Sequence, residues 1–176
     1  MALLVSGGCG RADQPRAGAP PAGAASPAAP SAATTTASVP ARQVDLSKTD
    51  ACKLATADEA AAALGAAVKD VYSSRPLEGI GCEYDTASKG VYLLLQVQPD
   101  PELYFSRDGK PISGLGDAAF AHETILGGGE KVEVLVGDLV LTLQRIDPAA
   151  RNPSDLAAID DHLARLAHLV LPRLPS

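Results

Sequence analysis

Three cysteines, three histidines and two glycine-rich stretches carry most of the chemistry open to this chain. Cys9 is set apart by its flanks. Leu3, Leu4, Val5, Ser6, Gly7 and Gly8 precede it, and an Ala/Pro/Ser/Thr/Gly tract follows as far as Val39–Pro40. Apolar residues, then small ones, then cysteine is the order in which a secretory signal gives way to a lipid-accepting thiol. The aliphatic position of such a signal holds Ser6 here, with Val5 one step early, and no Lys or Arg precedes Cys9. A signal needs a charged start and an apolar stretch of about 7–15 residues. The expectation is therefore that translation starts upstream and that Met1 lies inside that stretch. The alternative is a cytosolic protein in which Cys9 is incidental.

If Cys9 carries lipid, Cys52 and Cys82 remain as a pair that an exported protein would oxidise. Closing a loop of about 30 residues stabilises a fold by roughly 3–4 kcal/mol in the chain-entropy model. Two free buried thiols are one alternative. A metal site is another, although this separation lacks the short Cys/His spacings of zinc modules, so neither metal nor cofactor is expected.

A Ser or Cys hydrolase needs a nucleophile with a base in reach. His162 and His168 lie six residues apart on one expected helix, about 120° around its axis, and share no face. Only Ser113, Asp117 and His122 could form a hydrolytic set, and only if their side chains approach within about 8 Å. Gly127-Gly128-Gly129-Glu130-Lys131 departs from the phosphate loop, in which Lys follows Gly directly and a helix comes next; it reads as a flexible connection. Asp160-Asp161 reads as a solvated helix face. No catalytic residue is expected. Gly114, Leu115, Gly116, Asp117 and Phe120 remain, either as a tight loop lining a ligand or peptide groove or as a turn anchored in the core by Leu115 and Phe120.

Such residues need a framework. Residues 10–46 contain almost no large apolar side chains and cannot offset the entropy of ordering, so a disordered linker is expected there. As a coil it would span about 35 Å, and in extended form about 100 Å. Residues 47–176 suffice for one domain with a modest, aliphatic core, since the chain has no Trp and only 4 Tyr and 2 Phe. The net charge is −6, and the acidic excess lies from Ser47 onward. That balance argues against nucleic acid and against docking on anionic lipid. No segment is long enough for a transmembrane helix.

The domain reads as helix, strands, helix. Thr56-x-x-Glu59 is a capping box before the Ala-rich run Ala57–Leu64, and Gly65 suits the residue after the last turn. Strands are expected at Ala67–Ser73, Gly81–Tyr84 and Gly90–Gln98. Lys131–Val136 and Leu139–Arg145, joined by Gly137-Asp138, form a tight hairpin. Its Val132, Val134 and Val136 alternate with Glu133 and Leu135, so one face should be buried more than the other. Asn152 caps a C-terminal helix with Pro153 first, ended by Pro172. Leu156, Ile159, Leu163, Leu166 and Val170 form its apolar stripe, opposite Asp161 and Arg165, which could pair at i,i+4. The expected fold is α+β: an antiparallel sheet of about five or six strands, the C-terminal helix packed on it and a short N-terminal helix beside it.

Asp50-Ala51-Cys52-Lys53-Leu54, the Thr56-capped helix ending Ala63-Leu64-Gly65, Cys82-Glu83-Tyr84, and Gly114-Leu115-Gly116-Asp117-Ala118-Ala119-Phe120 follow one order and spacing. Together they resemble the exported lipoprotein family called domain of unknown function 3558, of actinobacterial type. The resemblance spans about residues 50–172. It implies a paired Cys52 and Cys82 and a membrane-anchored domain of unassigned activity, with no catalytic residues to carry over. The expected protein is a lipoprotein at the extracytoplasmic face of the cell membrane, anchored by lipid on Cys9. There it would act as a non-enzymatic binding or accessory module for a small ligand or an envelope protein. The alternatives are an assembly partner of another envelope protein, or a hydrolase-like enzyme.

Overall fold

Local signals set most of the element boundaries. In a computed structural model, the structure describes residues 44–124, 128–150 and 152–175, which lie in one unit, Val39–Ser176. Cys9 and the linker as far as residue 43 lie outside the described residues. Thr56 accepts from the Glu59 amide at 3.2 Å, and the Glu59 carboxylate accepts from the Thr56 amide at 2.8 Å. These reciprocal bonds satisfy two open donors of α1 (Ala57–Leu64), which ends at Gly65 with φ +66°. Asn152 Oδ1 accepts from the Asp155 amide at 3.1 Å and starts α3 (Pro153–Val170). A short helix α2 (Pro101–Tyr104) lies between them in sequence.

Seven strands form one sheet: β1 (Val68–Ser74), β2 (Ile80–Thr86), β3 (Tyr92–Pro99), β4 (Lys110–Pro111), β5 (Ala118–Glu123), β6 (Gly129–Val136) and β7 (Leu139–Ile146). Their order is β1-β2-β3-β7-β6-β5-β4, and every neighbouring pair is antiparallel. The sheet is thus two meanders, β1–β3 and β4–β7, joined where β3 pairs with β7. The count exceeds the expected five or six for two reasons. β4 is only two residues long, and β5 occupies the second half of a stretch that its glycines make look like a loop. Small Ala119 and Ala121 give β5 little β propensity of its own.

α1 and α3 cover one sheet face. Ile159, Leu163, Leu166 and Val170 pack there with Leu93, Leu95, Val97, Val132, Leu141 and Leu143 in a single apolar core. Cys52 and Cys82 are bonded, tying the 3-10 turn Ala51–Lys53 to β2. The folded part starts earlier than Ser47: Leu46 is buried and Val44 packs against the core. As expected, one hairpin face is buried more than the other, although the second is not open to solvent throughout. Val132 and Val134 are buried under α3, but Glu133, Val140 and Thr142 are buried on the other face as well. α2 and the segment after it fold across that second face.

Candidate functional site

The flank of α3 that faces α1 carries a groove in two parts. Asp155, Ala158, Ile159, His162, Arg165, Leu166 and Leu169 recur at spacings of three and four, so they follow one side of the helix beside its core stripe. Towards the C-terminal end, His162, Arg165, Leu166 and Leu169 face Ala62 and Ala63 of α1 across a cavity of about 320 Å³. The space exists because α1 offers methyl groups where larger side chains would fill it. Asp58 and Glu59 lie at its rim. Towards the N-terminal end, Asp155, Ala158, Ile159 and His162 meet Arg145, near the end of β7, and Asp147, just past it, around a cavity of about 280 Å³. His162 is part of both walls.

The polar part is tightly arranged. The Arg145 guanidinium pairs with Asp147 Oδ2 at 2.7 Å and donates to the Ala63 carbonyl at 3.3 Å, spanning the core from β7 to α1. Burial acts most strongly on Asp147 and raises its pKa, yet the Arg145 hydrogen bond and the Ala149 and Ala150 amides together hold it below the usual range. Two buried nitrogens of this wall, Arg145 Nε and His162 Nδ1, have no hydrogen-bond partner among the described residues. Both atoms are shielded from solvent, so they belong to the packing behind the wall and not to the cavity surface.

The other flank of α3 is built from acids. Glu130 is buried beside Asp160 and Glu123, and its pKa is pushed up to about 7, first by burial and then by those two carboxylates. Lys110 of β4 reaches Asp160 at 3.5 Å, and burial raises the Asp160 pKa despite it. Asp160 is thus not the solvated residue its neighbour Asp161 is. Arg165 donates to the Asp161 carbonyl at 3.2 Å rather than to its carboxylate. On the second sheet face, Glu133 accepts from Lys131 Nζ at 2.6 Å and from the Ser106 amide at 3.0 Å. His122 Nε2 stands 3.3 Å from the same carboxylate, without hydrogen-bond alignment. Phe105 meets Phe120 edge to face with centroids 5.8 Å apart, and Arg107 lies over Phe105 at 5.4 Å.

The glycine turn is anchored at both ends. Leu115 is buried in the helix-side core, and Gly116, at φ +53°, approaches the Leu135 carbonyl so closely that a Cβ would clash. The Asp117 amide donates to Leu135 O at 2.8 Å, and Asp117 Oδ2 accepts from the Gly137 amide at 2.7 Å. Asp117 therefore fastens this turn to the β6–β7 turn. Gly114, at φ +81°, has open space around it. Phe120 points to the second sheet face, away from Leu115. His122 is five residues beyond Asp117 along β5, about 16 Å at strand spacing, so Ser113, Asp117 and His122 are not brought together. Gly127 lies outside the described residues, and Gly129 already begins β6.

Arg145 and Asp147 carried no sequence signal, Glu130 stood only in a Gly-rich connection, Glu133 only in an alternating strand, and His162 only beside His168. A signal for the groove was present: Asp155, Ala158, His162, Arg165 and Leu169 form a second stripe at helical spacing beside the apolar one. The family model described as protein of unknown function (DUF3558) matches residues 4–119. No curated protein and no solved structure matches the chain.

Proposed function

The chain belongs to the DUF3558 family of proteins of unknown function, and from that premise we propose that it is an exported lipoprotein acting as a non-enzymatic binding module of the cell envelope. Lipid on Cys9 would hold it at the extracytoplasmic face of the cell membrane, and residues 10–43 would carry the domain clear of the surface. The observation that supports this most is the Cys52–Cys82 bond inside the folded domain. Such bonds persist in oxidising compartments and are rare in the cytosol of most organisms. The α3 groove supplies a concave, mixed polar and apolar surface suited to a ligand.

A second reading, an assembly partner for another envelope protein, is favoured by one feature. Leu77 is 88% exposed in the β1–β2 connection at φ +31°, a conformation that Leu rarely adopts. Leu103, on α2, is also exposed.

The test is the intact mass of the protein from its own host, with thiol labelling before and after reduction. A mature N-terminus at Cys9 carrying diacylglycerol, with two thiols that label only after reduction, is the expected result. An unlipidated chain with three free thiols overturns the proposal.

A further inference from the structure

Resting on the proposed role as a binding module, we infer that the α3 groove binds a single-chain amphiphile with a small uncharged hydroxylated head, of the monoacylglycerol type. The acyl chain lies against Ala62, Leu166 and Leu169, and the head sits between Arg145, Asp147 and His162. Four observations lead there. The two cavities, about 320 and 280 Å³, lie side by side with His162 in both walls, and each is near the lower end of the range of small-molecule sites. From Asp155 to Leu169 the groove follows α3 for about 21 Å, a length that suits an extended chain rather than a compact solute.

Its two parts also differ in chemistry. The α1–α3 part is floored by methyl and isobutyl groups with charges only at the rim, while the β7 end presents an arginine, two carboxylates and an imidazole. Finally, the charge at the polar end selects the head. Arg145 already has Asp147 as its counter-ion, and Asp155 adds a second carboxylate with no ion pair among the described residues. Among the described residues that wall sets two carboxylates against one guanidinium, so a carboxylate or phosphate head would be repelled. A hydroxyl donates to the Asp147 or Asp155 carboxylate without bringing a charge of its own, which matches this wall.

The probes are 1-monolauroylglycerol, lauric acid and glycerol, each titrated below its critical micelle concentration into the oxidised full chain by calorimetry. Monolauroylglycerol is expected to bind saturably, one per chain, with lauric acid at least about tenfold weaker and glycerol showing no measurable binding. Ala62 is exposed on α1, so Ala62→Trp fills the apolar part without entering the core. It should weaken monolauroylglycerol by at least about tenfold while leaving the thermal midpoint in place. Asp155→Asn should narrow the gap between the two amphiphiles by removing the repelling charge. Absence of saturable binding, binding that Ala62→Trp leaves unchanged, or lauric acid binding as tightly as the ester each overturns the inference. The mass measurement on the native protein reads the anchor and the thiols, so the functional reading and the ligand assignment fail separately.

Discussion

Between β1–β3 and β5–β7 the fold changes the chemistry it uses to hold other segments against the sheet. In the first meander the fasteners are covalent or neutral. Cys82 carries the disulfide and the Tyr84 hydroxyl donates to the Ala55 carbonyl at 2.8 Å; beside them Arg173, past α3, forks onto both oxygens of Glu59 on α1 at 2.7 Å. Burial, with Glu59 and Asp50 nearby, pushes the Tyr84 pKa up to about 12, so it remains a donor throughout the ordinary range. In the second meander the corresponding positions are carboxylates set into strand β6. Glu133 draws the segment after α2 onto one face, and Glu130 lies under α3 on the other. One half should therefore respond to reductant and be indifferent to neutral pH, and the other the reverse.

The sharpest way to break the contrast is to remove the covalent link. Cys52→Ala with Cys82→Ala should cost about 3 kcal/mol, read as a lower urea midpoint, and dithiothreitol should reproduce the loss in the parent chain but not in the double variant. On the other half, Glu133→Gln weakens the Lys131 pairing and replaces one acceptor by a donor facing the Ser106 amide. A cost of about 1–3 kcal/mol is expected, with faster hydrogen exchange at the Ser106 amide than at the β2 amides.

Glu130→Gln should go the other way. A carboxyl whose pKa rises from 4.5 to about 7 on folding binds more protons folded than unfolded. Stability from this group is thus full below about pH 4.5 and is lost as pH rises through 7. The variant should be more stable than the parent at pH 8, on the order of 1 kcal/mol, and not at pH 4.5. The smallest effect should come from Glu59→Gln. Hydrogen bonds from Arg173 and the Thr56 amide lower the Glu59 pKa to about 2, so its contribution is present above pH 4.5 and fades as pH falls towards 2. The variant should lose that contribution near pH 7, by less than about 1 kcal/mol for so exposed a pair, and its acid titration should lack the decline.

What the sequence disclosed follows the same division. α1, α3 and the Gly137-Asp138 hairpin were legible because caps, stripes and turn residues are local signals. The Cys52–Cys82 pair was legible because three cysteines leave few combinations once Cys9 is assigned elsewhere. Strand β5 was not, because alanines at Ala119 and Ala121 carry no periodic hydrophobic mark until β6 and α3 bury them. Glu133 looked like an outward residue of an alternating strand, and Glu130 like part of a flexible connection. Their burial depends on Lys110, Ser106 and Asp160, which lie 20 or more residues away in the chain. The groove along α3 is likewise a product of packing: its residues were visible as a stripe, but only the position of α1 makes a cavity of them.

The arrangement of the sheet as two meanders meeting at β3 and β7 also orders events in time. Hairpins β1–β2 and β2–β3 close short loops, and both cysteines of the disulfide, Cys52 before α1 and Cys82 on β2, precede β3. The β3–β7 seam, with eight residue pairs, must wait for strands encoded some forty residues later. In a chain delivered N-terminus first, Cys52 and Cys82 can meet and be oxidised before β7 has emerged. The bond would then act as a ratchet on assembly, keeping β2 and the turn before α1 together while the edge of β3 still awaits its partner.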